Sequence, residues 1–397
     1  MADVLIVGGG PAGMMAGLLF ARAGISTLVL EKHADFLRDF RGDTVHPSTM
    51  AFLDELGMLE RFLARPHDEV PMIEARVAGQ RVPVADFRYL PVPARFIAMM
   101  PQWDFLDFLA DEAAAFPAFA LERNAEVTGF VERDGRVTGV RLADDREILA
   151  GKLVIAADGR RSVARQVLPL TNLGAPMDVF WFSVPKGDSG ENRSTGVFEA
   201  GRIFALIDRT TYWQCAYVFP KNSVDALKAR GLPALVEDIE RAVPELGPVG
   251  DVLTRWEDFH LLAVSLDRLD RWHRPGLLAI GDAAHAMSPI GGVGINLAVQ
   301  DAVAAANILA TPLLESSNVD ALLTQVQARR MLPTRVIQGF QRFAQDNIIG
   351  ALLNTDAKLD RPPLALRMLK RFPLLRRLPA HLLGLGVRRE HIRSPKA

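Results

Sequence analysis

Apolar positions in this chain form two kinds of run. Val4-Leu5-Ile6-Val7, Leu153-Val154-Ile155-Ala156-Ala157 and the stretch Gly276 to Gly281 are short and unbroken, as expected of strands buried on both faces. Met14 to Ala23, and Thr49 to Leu63 with Phe52, Leu53, Leu56, Leu59 and Leu63, follow helical spacing instead. Ile73 to Phe87 alternates and turns at Ala78-Gly79, which predicts a hairpin; Asp134-Gly135 predicts another. A helix is expected from Gln102 to about Ala115. Between about 176 and 264 the strand-then-helix rhythm stops. Val179 to Val184, Arg202 to Ile207 and Tyr212 to Phe219 read as strands of an antiparallel sheet in a second domain. The first pattern resumes at Gly276, and from Asn296 onward the chain reads mostly helical.

Composition changes this picture little. At 397 residues the chain has room for two or three domains. Its net charge of −1 offers no general attraction to nucleic acid. One cysteine, Cys215, excludes an internal disulfide and suits a reducing compartment; its apolar surroundings predict an inert buried thiol. No apolar stretch reads as a membrane span, and the first strand begins by Val4, so a cytoplasmic protein is expected, monomeric or homodimeric. Charge is uneven only at the end: Arg361 to Ala397 holds ten Lys or Arg and a single acid, Glu390. Prolines 362, 363, 373, 379 and 395 interrupt that basic tail, so its leucines are expected to pack on the body rather than lie on a membrane.

Candidate chemistry begins directly after the first strand. Gly8, Gly10 and Gly13 fit G-x-G-x-x-G in the segment Gly8-Gly9-Gly10-Pro11-Ala12-Gly13. This order of strand, glycines, helix and strand provides a tight turn, close approach for a pyrophosphate, and a helix N-terminus aimed at the phosphates. Glu31 ends the second strand, where a carboxylate can accept hydrogen bonds from a ribose, with Lys32 beside it. Two further segments point to the same ligand: Asp158-Gly159 after the Leu153 strand, and Gly281-Asp282 after the Gly276 strand. The latter continues through Ser288-Pro289-Ile290-Gly291-Gly292-Val293-Gly294-Ile295-Asn296 to Asp301.

These three motifs, in this order, resemble the single-component FAD-dependent aromatic hydroxylases of the 4-hydroxybenzoate hydroxylase type, from residue 3 to about 305. The resemblance implies an α/β fold: a discontinuous Rossmann-like FAD-binding domain (residues 1–70, 98–175 and 265–330), an inserted antiparallel β-sheet substrate domain (71–97 and 176–264), and a helical C-terminal region with the basic tail (331–397). It implies non-covalent FAD, NADPH or NADH as a transient reductant, and O2. Asp282 is then expected on the ribityl hydroxyls, Arg41 near the pyrophosphate, Gln102 on FAD, and Asp158 and Gly159 near both cofactors. Pro289, Gly292, Val293, Gly294, Ile295 and Asn296 are expected along the flavin edge, where backbone N–H groups stabilise the anionic reduced ring, with Pro289 bordering substrate. His285 and His46 are expected to be structural.

The resemblance also implies the reaction, hydroxylation of an aromatic or polycyclic small molecule through a flavin C4a-hydroperoxide, with no obligatory side-chain base. Pocket candidates lie in the second sheet: Trp181, Phe182, Phe204, Tyr212, Trp213, Gln214 and Tyr217, of which alternation turns about half toward substrate. A carbon–carbon double-bond reductase and a flavin-binding sensor are the alternatives. No metal-ligand spacing and no G-x-S-x-G elbow is present.

Overall fold

The computed structural model describes residues 1–37, 44–186, 194–199, 202–209, 211–315, 318–346 and 362–397. Its centre is a six-stranded sheet in the order His273–Arg274, Leu277–Ala279, Leu153–Ala156, Val4–Val7, Thr27–Leu30 and Phe119–Glu122. All neighbours are parallel except at the His273–Arg274 edge. The all-apolar strands have a direct cause. Val4 and Ile6 pack into a core with the helix Pro11–Arg22, while Leu5 and Val7 face a second core under the meander Val127–Arg133, Arg136–Leu142 and Glu147–Leu149. Neither face of the strand meets water, so no position on it is polar.

The helix Gly294–Glu315 lies against Pro11–Arg22 and completes the first core. The run Ile290–Glu315 has the length and apolarity of a membrane-crossing helix, which corrects the sequence expectation that no such stretch exists. A helix apolar all round is one enclosed by protein. Here most of that run is buried inside the molecule.

The second sheet has seven strands, in the order His260–Leu262, Met177–Pro185, Tyr212–Pro220, Arg202–Asp208, Thr195–Glu199, Met72–Val77 and Gln80–Asp86. Ala78 and Gly79, both at positive φ, make the expected hairpin turn between the last two. The sheet is mixed rather than purely antiparallel, because Thr195–Glu199 runs parallel to Met72–Val77. Those two strands come from chain segments far apart in sequence, so no tight turn forces them to run in opposite directions.

The C-terminal region begins within a long helix. The helix Asp320–Ala344 runs unbroken through residues 330 and 331, so the sequence-based domain limit falls inside a single element. The tail is only partly packed. Ala380, Leu383 and Leu385 are buried, and the Ala397 N–H donates to Arg22 O at 3.0 Å. Leu364, Leu374 and Leu378, in contrast, are about 70% exposed, against the expectation that the tail leucines pack on the body.

Candidate functional site

The three motifs meet at the C-terminal ends of adjacent parallel strands, where open α/β sheets bind ligands. How tightly they meet is visible at two glycines. A Cβ on Gly8 (φ +98°) would stand 2.6 Å from the Ala157 carbonyl oxygen, so the first motif lies directly against the second. A Cβ on Gly281 (φ +59°) would stand 2.9 Å from Ala12 Cβ, so the third lies directly against the first. Only glycine permits either approach.

Within this cradle the polar groups are partly committed and partly spare. Glu31, almost fully buried, accepts the Gly9 N–H on Oε2 (2.8 Å) and the His33 N–H on Oε1 (3.0 Å). Its carboxylate therefore holds the glycine turn from below, at the end of the second strand. Asp158 accepts the Val163 N–H on Oδ2 (2.9 Å), and its buried Oδ1 has no hydrogen-bond partner among the described residues. Burial pushes the Asp158 carboxyl above its ordinary range. Lys32 is exposed, and Gln102 opens the helix Gln102–Ala114. Arg41 lies outside the described residues.

Asp282 is about one-third exposed, and its Oδ2 accepts from Arg160 Nε at 3.2 Å. Arg165 reaches across from the same turn. Its guanidinium donates to Asp282 O (2.7 Å), Ala283 O (3.1 Å) and the buried Asp267 carboxylate (2.8 Å). Two arginines of the second motif thus fasten the third. Their positions after Asp158-Gly159 were visible in the sequence; their partners, more than a hundred residues away, were not.

Below the turn lies a buried charge cluster. Asp301, fully enclosed, accepts the Gly281 N–H on Oδ2 (3.0 Å), where His285 Nε2 also stands at 2.6 Å, and accepts from Arg330 Nε on Oδ1 (2.9 Å). Burial alone would raise the Asp301 carboxyl; His285 and Arg330 together hold it below the ordinary carboxylate range. His285 is therefore placed as a structural histidine, hydrogen-bonded under the motif rather than facing a ligand.

The loop expected at the flavin edge follows. Pro289 begins a short turn, Gly291 and Gly292 adopt φ of +78° and +61°, and the helix starts at Gly294. The first N–H of that helix with a main-chain partner four residues back is Leu297, bonded to Val293 O at 3.0 Å. N–H groups ahead of it, at the positive end of the helix dipole, are available to an acceptor. Asn296 is spoken for: its Oδ1 accepts from Thr49 Oγ1 (3.0 Å) and from Ser48. Thr44 Oγ1 donates to Gly292 O at 2.9 Å.

His46 sits fully buried beside this loop, with Nδ1 2.9 Å from Leu383 O. Burial pushes its pKa down to about 4, against the opposing pull of the Leu383 and Gly292 backbone. The folded protein keeps this ring neutral whereas the unfolded chain protonates it near 6.5. Stability from His46 is complete above pH 6.5 and falls as the pH drops toward 4, by up to about 3 kcal/mol. Melting temperatures across that window should decline in the wild type and decline less in His46→Gln.

Of the aromatic pocket candidates, the sheet divides two sets. Phe182, Phe204, Trp213 and Tyr217 point away from the loop, into a core with Leu235 and Ile239 beneath the helix Leu232–Ala242. They are corrected to packing residues, because that helix claims their face of the sheet. Trp181 lies on the other face, with Val179, Ala216, Val218 and Ile290 of the loop packed in the same cluster. Tyr212 and Gln214 alternate with Trp213 and share that face. Cys215, buried on the core side with its thiol pushed up by burial, is inert as expected.

The residues present fit FAD: space in front of Gly10, a spare acceptor on Asp158, a one-third-exposed acid on Asp282 and open amides at the loop-to-helix junction. Comparison with known proteins agrees. A family model described as "FAD binding domain" matches residues 1–339. The chain is 34% identical over 336 residues to 6-methylpretetramide 4-monooxygenase of Streptomyces rimosus, covering 83% of this chain and 80% of that one. It is 27% identical over 353 residues to 12-dehydrotetracycline 5-monooxygenase/anhydrotetracycline 6-monooxygenase of S. rimosus subsp. rimosus, covering 85% and 68%. The solved anhydrotetracycline hydroxylase OxyS of S. rimosus superposes with a TM-score of 0.74 at 22% identity, over 98% of this chain and 77% of that one. The chain belongs to the FAD binding domain family, as a flavoprotein monooxygenase that works with FAD, NAD(P)H and O2.

Proposed function

We propose that this enzyme hydroxylates a polycyclic aromatic compound held between the loop face of the seven-stranded sheet and the Pro289–Asn296 segment. The similarity to a 6-methylpretetramide monooxygenase across four-fifths of both chains carries this reading. It favours oxygen insertion over double-bond reduction or ligand sensing. Bound FAD would supply hydride acceptance from NAD(P)H and activation of O2. The chain's own residues do the holding. Gly8, Gly10, Pro11, Ala12 and Gly13 receive the pyrophosphate, Glu31 the ribose, and Asp282 the ribityl chain. Asp158 and Gly159 border the cofactor, and the amides from Val293 to Asn296 face the flavin edge. Trp181, Tyr212 and Gln214 line the substrate side opposite Pro289. The wide apolar face around Trp181 suits fused rings and excludes water from the reacting face. Cytoplasm, where reduced nicotinamide is supplied, is the compartment in which we place the reaction.

Asp282→Ala should fold normally and lose FAD on dilution several-fold faster than wild type; an unchanged loss rate would remove Asp282 from the ribityl site. The function itself is tested with the yellow holoprotein, NADH or NADPH, and a panel of polycyclic phenols under ¹⁸O₂. A compound that speeds nicotinamide oxidation and gains labelled oxygen supports the proposal. Faster oxidation with an unlabelled, reduced product would overturn it in favour of a reductase.

A further inference from the structure

The flavin-edge loop is held from behind by glutamines of the helix Asp320–Ala344. Gln338 and Gln341, three residues apart on one face of that helix, are almost completely buried. Gln338 Nε2 donates to Asp267 O at 2.8 Å and to Ala286 O at 3.2 Å. Gln341 makes a closer bracket. Its Oε1 accepts the Ser288 N–H (3.1 Å), and its Nε2 donates to Ser288 O (2.9 Å) and Ile290 O (3.0 Å). One amide therefore grips both residues that flank Pro289.

The loop needs such an outside clamp. Pro289 has no N–H to offer a neighbouring strand, and Gly291 and Gly292 follow at positive φ, where glycine leaves the backbone soft. Among the described residues, the only main-chain bond across the turn runs from Gly292 N–H to Pro289 O, at 3.0 Å. That bond ties the turn to itself and leaves its direction open. Thr44 holds the far end through Gly292 O. Gln341 holds the near end, and the amides from Val293 to Asn296 lie downstream of both.

We infer that Gln341 is a positioning residue for the flavin: by fixing the Ser288–Ile290 backbone it sets where the downstream amides stand, and so how strongly they stabilise negative charge on the flavin N1–C2 edge. The inference rests on the loop's placement at that edge and not on the identity of the substrate, so a failed oxygen-incorporation experiment leaves it standing.

The test uses holoprotein carrying Gln341→Met, which keeps the volume and removes all three hydrogen bonds, and Gln341→Asn, which keeps an amide but is too short to span both residues. Both should retain FAD. Both should bind sulfite more weakly than wild type, by about tenfold for Met and less for Asn, with the flavin midpoint potential lowered in the same order, about 30 mV for a tenfold effect in a two-electron couple. Hydrogen exchange of the 288–296 amides in FAD-free protein should be faster in both variants. Gln327→Met is the control. Gln327 makes comparable bonds from the same helix, accepting Trp272 N–H at 3.0 Å and donating to Asp270 O at 2.8 Å, away from the loop. It should cost stability and leave sulfite affinity and potential at wild-type values. Unchanged sulfite affinity and potential in the Gln341 variants, or an equal shift in Gln327→Met, would overturn the inference. Faster exchange without any change in potential would also overturn it, since the clamp would then hold a loop that does not govern the flavin.

Discussion

Gly10→Val should yield a folded but colourless protein. Gly10 precedes the helix Pro11–Arg22 at φ −76° and ψ −177°, an extended conformation that valine adopts without strain. A Cβ there meets only the Ala157 carbonyl oxygen, 4.0 Å away. No described residue crowds a Cβ at this position, so the cost in stability is that of a poorer residue at the start of a helix, about 1 kcal/mol. What the valine occupies is the space a pyrophosphate needs to reach the helix amides. Losing two hydrogen bonds to a charged group, each worth about 1.5–3 kcal/mol, weakens binding by about 100-fold or more. The contrast is Gly13, where an added Cβ would lie 1.9 Å from Gly8 O. Gly13→Ala should therefore damage the fold and the cofactor site together, as a lower melting temperature with partial flavin. Absorbance at the flavin band against protein concentration, with circular dichroism, separates the two variants. A Gly10→Val protein that purified with wild-type flavin content would show that the pyrophosphate does not lie there.

Asp301→Asn should produce the largest loss of stability. The carboxylate is completely enclosed and neutralises an equally enclosed Arg330, with His285 on its other oxygen. Removing one charge of such a pair leaves the other desolvated and uncompensated, which costs about 3–5 kcal/mol. Glu390 Oε1, 3.6 Å from Arg330 Nη1, offsets only part of this, since it is also held by Arg329 at 2.6 Å. For a chain of this size the loss corresponds to a fall in melting temperature of about 4–6 °C. The Gly281 N–H would also lose its acceptor at full charge, so flavin retention should weaken alongside. Pairing the change with Arg330→Met should recover part of the stability, because the isolated cation is then gone. A single variant within about 1 kcal/mol of wild type would mean that Asp301 is already neutral in the native protein.

The glutamine clamp and the Asp301 cluster explain why the helix Asp320–Ala344 crosses the expected domain limit. Its first half carries Arg330 to Asp301, under the Gly281-Asp282 turn. Its second half carries Gln341 to Ser288. A break at residue 330 would separate two supports of one site. Neither support leaves a trace in local periodicity, since a buried glutamine or arginine reads in sequence like a solvated one. Their partners are carbonyls and carboxylates far away along the chain.

The sequence by itself determined the strands that are apolar at every position, because a strand covered on both faces tolerates no polar residue. It determined the order of the three motifs, and with them the cofactor, because a pyrophosphate cradle and a ribityl acid require particular residues at particular strand ends. The turn at Ala78-Gly79 was equally legible, since few residue pairs accept positive φ at both positions. Tertiary structure decided what alternation leaves open. Period two states that Trp181 and Phe182, or Trp213 and Gln214, point to opposite faces; it does not state which face is the pocket. The helix Leu232–Ala242 made that choice by covering Phe182, Phe204, Trp213 and Tyr217 and leaving Trp181 beside Ile290. Burial of one face is a property of what packs on it, and that is settled only when distant segments meet.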